Sequence, residues 1–233
     1  MNGGLAANTR LLRRLAAGWR AASGRVLAVC VPAPYLAQAQ TELQGSAVAW
    51  GAQDVSEHRQ GAYTGDVSAA MVAEFGARFA IVGHSERRQL HGETDALVAA
   101  KARAALAAGL TPIACVGETL VERERGDTES VVAREIDALT DALGDDAARI
   151  VVAYEPIWAI GTGRTATPEQ AQAVHGSIRA RLQRAGAGEI PILYGGSVKA
   201  ANAAALFAMP DIDGGLVGGA SLDGDEFLTI GHA

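Results

Sequence analysis

The chain has 233 residues, 49% apolar and 20% charged, and its 20 Lys and Arg against 26 Asp and Glu leave a net charge of −6 at pH 7. That composition excludes disorder and collagen-like or low-complexity sequence, and an acidic chain with no basic run is expected to take neither nucleic acid nor an anionic membrane as a partner. No apolar stretch nears the roughly 20 residues that cross a bilayer, and Met1-Asn2-Gly3-Gly4 lacks the apolar core of a signal peptide, so a cytoplasmic protein is expected.

The first predicted element is a helix over 8–22, with Leu11, Leu12, Leu15 and Trp19 at helical spacing. Seven short apolar runs follow, at 26–31, 48–51, 79–83, 111–116, 150–154, 191–194 and 214–217. They lack strict alternation, as strands covered on both faces do. Ala- and Leu-rich segments separate them, which is the pattern of βα units around a parallel sheet. The clearest helices are 95–108, capped by Thr94 and stopped by Gly109, and 168–185. In the latter Thr167 is the N-cap, Pro168 takes the first position, Gln170 completes a capping box and Gly186 stops the helix. Ala171, Val174, Ile178 and Leu182 form its buried stripe.

Cys30 and Cys115 lie inside apolar runs and read as buried free thiols in a reducing compartment. No linker or composition shift divides the chain, so residues 1–233 are expected to form a single domain. The helix at the start makes roughly eight helices to seven strands, which implies either another topology or an opening strand outside the chain.

In parallel α/β folds chemistry collects at the carboxyl ends of the strands. The third run ends in Gly83-His84-Ser85-Glu86-Arg87-Arg88 and the fifth in Tyr154-Glu155-Pro156. The sixth ends in Tyr194-Gly195-Gly196-Ser197 and the seventh in Val217-Gly218-Gly219-Ala220-Ser221. A His in such a place is often a structural residue bonded to a carbonyl. Here Ser85 and Glu86 start a helix behind the ring, and its partial positive charge disfavours imidazolium, leaving His84 neutral and able to donate.

Glu155 reads either as a salt-bridge partner or as a general base. The segment 156–166 behind it is far longer than the usual ~2–6 residues of a βα loop. Its apolar centre with Gly161 and Gly163 suits a lid that excludes water and raises the basicity of a carboxylate beneath it. Residues 161–166 loosely match a dinucleotide fingerprint, but Glu155 to Ile160 intervene and the helix begins afterwards, so no nucleotide cofactor is expected. The paired glycines after the last two runs read as tight turns or, beside Ser197, as a cradle of backbone N–H groups for a phosphate.

Ile-Val-Gly-His84-Ser-Glu-Arg-Arg, Ala-Tyr-Glu155-Pro-Ile-Trp-Ala-Ile-Gly-Thr-Gly, Tyr-Gly-Gly-Ser197-Val and Leu-Val-Gly-Gly-Ala-Ser, in this order along nearly the whole chain, closely resemble the triosephosphate isomerase family. The resemblance implies an α/β fold of the (β/α)8 TIM-barrel type. It implies interconversion of dihydroxyacetone phosphate and D-glyceraldehyde 3-phosphate through an enediolate, with no cofactor and no metal. By that resemblance Glu155 takes the proton from the carbon beside the carbonyl, and neutral His84 polarises the carbonyl. Gly161, Ser197, Gly218 and Gly219 then bind the phosphate of the triose phosphate substrate. Tyr194 and Ala166 match a pair that latches the closed lid, and Glu86 a carboxylate near the catalytic groups. A homodimer is implied by Gln53 and by Gly61-Ala-Tyr63-Thr64-Gly-Asp66, whose Thr64 would reach the neighbouring subunit. A phosphate-binding epimerase or tryptophan-pathway isomerase would share the glycine cradle but not need both the His84 run and the Glu155-headed lid.

The resemblance fails at four places. The family opens with a strand ending in Asn-Trp-Lys-Met-Asn-Gly, whereas Met1-Asn2-Gly3 opens this chain, so the first barrel strand and its Lys are expected to be missing as written. Either translation begins upstream, or the chain is a catalytically impaired relative that keeps the phosphate cradle. Residues 222–233 are shorter than the family's last helix. Asp54 stands where Asn is expected, with a weaker dimer contact as the consequence, and Arg164 where Lys is common.

Overall fold

The computed structural model describes residues 1–22, 24–159 and 166–233. Seven strands, β1 (Ala28–Val31), β2 (Ala49–Ala52), β3 (Phe79–Val82), β4 (Thr111–Val116), β5 (Val151–Tyr154), β6 (Ile192–Tyr194) and β7 (Gly214–Gly215), pair in parallel in their sequence order. Each parallel neighbour requires a crossover outside the sheet. These are α2 (Leu36–Leu43), α3 (Ala69–Glu74), α4 (Ser85–His91) with α5 (Asp95–Ala107), α6 (Leu120–Glu124) with α7 (Thr128–Leu143), α8 (Pro168–Arg184) and α9 (Ala200–Phe207). α1 (Leu5–Gly18) precedes the sheet and α10 (Gly224–His232) follows it.

Apolar strands covered on both faces produce two layers of core. The outward Ala80, Val82, Ala114, Val116, Val152 and Ile192 pack on Val98, Ala102, Ile136, Leu139, Ile178 and Leu182 of the helices. The inward Ile81, Ile113, Cys115 and Ala153 gather with Cys30 of β1, Leu193 of β6 and Leu216 past β7. One cluster holding residues from both ends of the sheet means that the sheet curls around it, the arrangement of a barrel.

Among the described residues no ladder joins β1 to β7, so these are the two edges. α1 covers that side. Its Leu12, Leu15 and Trp19 are buried with Leu27, Leu43 of α2 and Phe227 and Leu228 of α10, and Val29 and Val217 pack against them. The helix layer is thus continuous where the strand ladder is not. Each such side chain contributes about 1.5–3 kcal/mol by burial, so this side is held by apolar packing and not by interstrand hydrogen bonds.

The helix over 168–184 has the capping expected of it: Thr167 Oγ1 accepts from the Gln170 N–H (3.2 Å) and the Gln170 side chain accepts from the Thr167 N–H (3.0 Å). Three boundaries differ from expectation. α1 runs Leu5–Gly18 and not 8–22, because the chain turns extended at Trp19 and sends that indole into the core. Gly18 permits this, since a Cβ there would meet Leu228 at 2.3 Å. β7 is only Gly214–Gly215, though Leu216 N–H still bonds Tyr194 O (2.9 Å). Ten α-helices appear among the described residues where about eight were expected; α3, α4 and α6 are too short to show an apolar period, and α6 is marked only by its Thr119–Glu122 capping box.

Candidate active site

β3 and β5 bring His84 and Glu155 together at their carboxyl ends. His84 Nε2 lies 3.0 Å from Glu155 Oε1. Glu155 is only 2% exposed. Its Oε2 accepts the Ser85 N–H (2.8 Å), the first amide of α4, and Oε1 also accepts from Ser85 Oγ (3.3 Å). His84 is the N-cap of α4, and its Nδ1 accepts the Glu86 N–H (3.3 Å). A ring whose Nδ1 accepts carries its one proton, when neutral, on Nε2.

Two opposing influences act on that ring. Burial works against its charged form, but the hydrogen bond and charge of Glu155, with Glu86 adding to them, carry the pKa of His84 upward overall. The neutral state expected from the helix start therefore has a competitor in the docked carboxylate. Glu86 itself is largely exposed, with Oε2 4.0 Å from Nδ1.

Glycines let neighbouring strands close on Glu155. A Cβ at Gly117 would stand 1.9 Å from Glu155 O, and one at Gly195 would stand 2.8 Å from Glu155 Cγ. Glu155 N–H bonds Val116 O and Gly195 N–H bonds Tyr154 O, both at 2.7 Å. Cys115 is a buried free thiol held well above its ordinary pKa, by burial first and then by Glu155. Cys30, on β1, is half-buried and free.

The side that carries Ser197, Gly218 and Gly219 is more open. Ser197 Oγ donates to Ala159 O (3.1 Å), tying the end of β6 to the segment behind Glu155. Gly218 and Gly219 are exposed, with no atom within 4 Å of a Cβ built at either. Gly161, Gly163 and Arg164 lie outside the described residues. Tyr194 Oη is buried; burial raises its pKa and the nearby Ala166 backbone pulls it back.

Sequence reasoning missed two charged groups behind the rim. Glu118, fully buried after β4, accepts from Tyr154 Oη (3.0 Å), Trp158 Nε1 (3.0 Å) and Arg123 Nη1 (3.1 Å), while the Arg123 guanidinium lies 4.3 Å over the Trp158 ring. Its signal in the sequence is its place at the fourth strand end, Gly117-Glu118-Thr119.

The second group joins Asp54, Arg87, Glu93 and Lys101. Lys101 Nζ bonds Asp54 Oδ1 (2.8 Å) and Glu93 Oε1 (2.6 Å), and Arg87 reaches Asp54 (2.9 Å) and Glu93 (2.6 Å). Burial raises the Asp54 carboxyl against the pull of Lys101 and Arg87. This carboxylate is engaged within its own chain. Gln53 Nε2 donates to Cys30 O (3.2 Å), and the segment at 61–66 is exposed, with Tyr63 stacked on His58 at 3.8 Å.

Among the described residues no group of His, Cys, Asp and Glu is arranged to hold a metal ion, and no helix is long and apolar enough to cross a membrane.

The family model described as Triosephosphate isomerase matches residues 1–233. The chain is similar to the triosephosphate isomerase of Bordetella pertussis, 63% identical over 234 residues that cover 100% of this chain and 94% of that protein. It is similar to that of Delftia acidovorans, 62% identical over 232 residues (99% and 94%), and of Ralstonia nicotianae, 59% identical over 237 residues (100% and 95%).

Proposed function

The chain belongs to the triosephosphate isomerase family, and from that premise we propose that it interconverts dihydroxyacetone phosphate and D-glyceraldehyde 3-phosphate, with Glu155 as base and His84 as electrophile. The observation that carries this assignment is the 3.0 Å contact between His84 Nε2 and the buried Glu155 carboxylate, made from the ends of two different strands.

Glu155 takes the proton from the carbon beside the carbonyl. The C–H electron pair becomes the C=C bond of an enediolate, and the carbonyl π pair moves to oxygen, where the His84 Nε2–H meets it. His84 gives its Nε2 proton to the oxygen of the former carbonyl and takes the proton from the neighbouring hydroxyl oxygen, and Glu155 returns its proton to the adjacent carbon, so that the former hydroxyl becomes the new carbonyl and both groups regain their starting states. Docked on Ser85 and His84, the carboxylate favours imidazolium; turned toward a C–H, it withdraws that influence, and the Glu86 N–H at Nδ1 favours the neutral ring.

Gly161, Ser197, Gly218 and Gly219 would hold the phosphate by backbone amides, and the lid over 156–166 would shield the enediolate from water. Residues 1–233 act as a single domain in this reading. Gln53 and the exposed 61–66 segment support a homodimer, and two free thiols suit the reducing cytoplasm.

A coupled assay on the purified protein and on Glu155→Gln tests the assignment. The parent is expected to isomerise triose phosphate and the variant to lose about three orders of magnitude in kcat. An inactive parent, or a variant of equal kcat, overturns it. Light scattering at micromolar concentration is expected to give twice the chain mass, and a monomer rejects the dimer.

A further inference from the structure

Arg87 and Arg88 are consecutive on α4 and face different partners. Arg87 joins the Asp54–Glu93–Lys101 group, while Arg88 reaches the strand ends. The paired residues of β3 and β4 run out at Val82 and Ala114. The next residue on each strand is Gly83 and Cys115. Arg88 Nε donates to Gly83 O (3.0 Å) and Nη2 to Cys115 O (3.1 Å), so one guanidinium continues the ladder one step past its end. Its Nη1 donates to Asp95 Oδ1 (2.6 Å).

A second group reaches β4 from the same side. Val116 O turns to β5, where it accepts the Glu155 N–H (2.7 Å), so the Gly117 N–H of the same trans peptide points the opposite way and donates to Glu135 Oε2 (2.7 Å). Glu135 comes from α7, is 4% exposed, and lies 3.5 Å from Arg88 and 3.9 Å from Arg134. Gly83 immediately precedes His84, and Gly117 presses on the backbone of Glu155.

We propose that Arg88 and Glu135 are positioning residues for the isomerase reaction, bracing the ends of β3 and β4 from behind and so fixing the separation of His84 and Glu155. This rests on the reading of His84 and Glu155 given above. Neither side chain touches the reacting groups; each acts through a backbone group next to one that does. A backbone carbonyl or amide past the end of a ladder has no strand partner, and a buried one left unpaired would shift until it found another. A shift of about 1 Å at such a site costs up to roughly a hundredfold in rate. Burial lifts the Glu135 carboxyl to about 7, against the pull of Arg88 and the Gly117 N–H. Its acceptor oxygen, present in either protonation state, is therefore the feature that matters.

The test compares Glu135→Gln, which keeps an acceptor for the Gly117 N–H, with Glu135→Met, which keeps the size and removes the acceptor. Glu135→Gln is expected to stay within about threefold of the parent kcat, and Glu135→Met to lose at least about tenfold in kcat with KM within about twofold. Parent kcat in Glu135→Met, a loss confined to KM, or an equal loss in Glu135→Gln overturns the proposal. Should Glu135→Met not fold, Arg88→Lys decides, since one ammonium cannot serve both carbonyls: about tenfold lower kcat supports the brace and an unchanged kcat overturns it. Amide exchange at Gly117 separates this from the function itself. Exchange about tenfold faster in Glu135→Met than in the parent supports the brace even if the parent does not isomerise, and equal exchange overturns it.

Discussion

On the side of β3, β4 and β5 the strand ends are held by side chains that reach across to them: Arg88, Glu135 and Glu118 from behind, Ser85 in front. On the side of β7 and β1 the end of β7 is followed by Gly218 and Gly219, both strands are edges among the described residues, and what lies behind is the apolar packing of α1, α2 and α10. The first arrangement suits groups that must keep their mutual geometry while charge moves between them, because fixed donors need no reorganisation. The second suits an anion that is gripped by amides and released. Under the proposed function, proton transfer falls to the first side and phosphate binding largely to the second, and each can be attacked separately.

The largest effect is expected at Glu118. Glu118→Leu leaves Tyr154 Oη without its acceptor and the Arg123 guanidinium without its counter-charge. Removing one member of a buried charged group costs about 3–5 kcal/mol. Urea unfolding is expected to show that loss, and a variant within about 1 kcal/mol of the parent would mean that the proton-transfer rim is not held from behind.

Two buried groups make the pH response of the same side separable. His175, on α8 and 0% exposed, has Nδ1 3.0 Å from Asp211 O and stands edge-on to Tyr154. Burial lowers its pKa to about 4, against the pull of the Asp211 carbonyl and the charge of Asp213. Between the ordinary value of 6.5 and 4 the unfolded chain binds the extra proton, so His175 costs stability as pH falls. Glu135, raised from 4.5 to about 7, has the opposite sign: its contribution is present below 4.5 and lost as pH rises through 7. The two offset each other across much of this range.

His175→Phe is therefore expected to make stability fall, relative to the parent, as pH rises toward 7. Glu135→Gln is expected to make it fall as pH drops toward 4. Each difference is on the order of 3 kcal/mol across its window. Chemical denaturation from pH 4 to 7.5 reads both, and parallel curves for parent and variants would remove these groups from the account.

The proton-transfer rim was also the better legible of the two in sequence. His84 and Glu155 stand at strand ends, where one position decides which side of the sheet's mouth a residue faces, and a helix start directly behind His84 is written in Ser85 and Glu86. Arg88, Glu135 and Glu118 were not legible as a set. They come from three separate segments, and a salt bridge on a helix face looks the same in sequence whether its partner is solvent or a strand end. The strands came within about two residues because their apolar runs mark both faces. β7 is shorter than its apolar run predicts because Leu216-Val217 continues past the glycines while the ladder does not. The start of α1 was misplaced because Gly4 caps it without a side-chain hydrogen bond to signal the turn.

The smallest effect is expected at Gly218. A methyl there meets no atom within 4 Å, so Gly218→Ala is expected to change stability by no more than about 1 kcal/mol. On the proton-transfer rim the same substitution at Gly117 would drive a Cβ to 1.9 Å from Glu155 O. If amides at Gly218 and Gly219 take the phosphate, the added methyl crowds the anion and raises KM by about three- to tenfold at unchanged kcat, the signature of lost ground-state and transition-state binding in equal measure. A fall in kcat at unchanged KM would place Gly218 with the proton-transfer groups. The division between the two rims would then have to be redrawn.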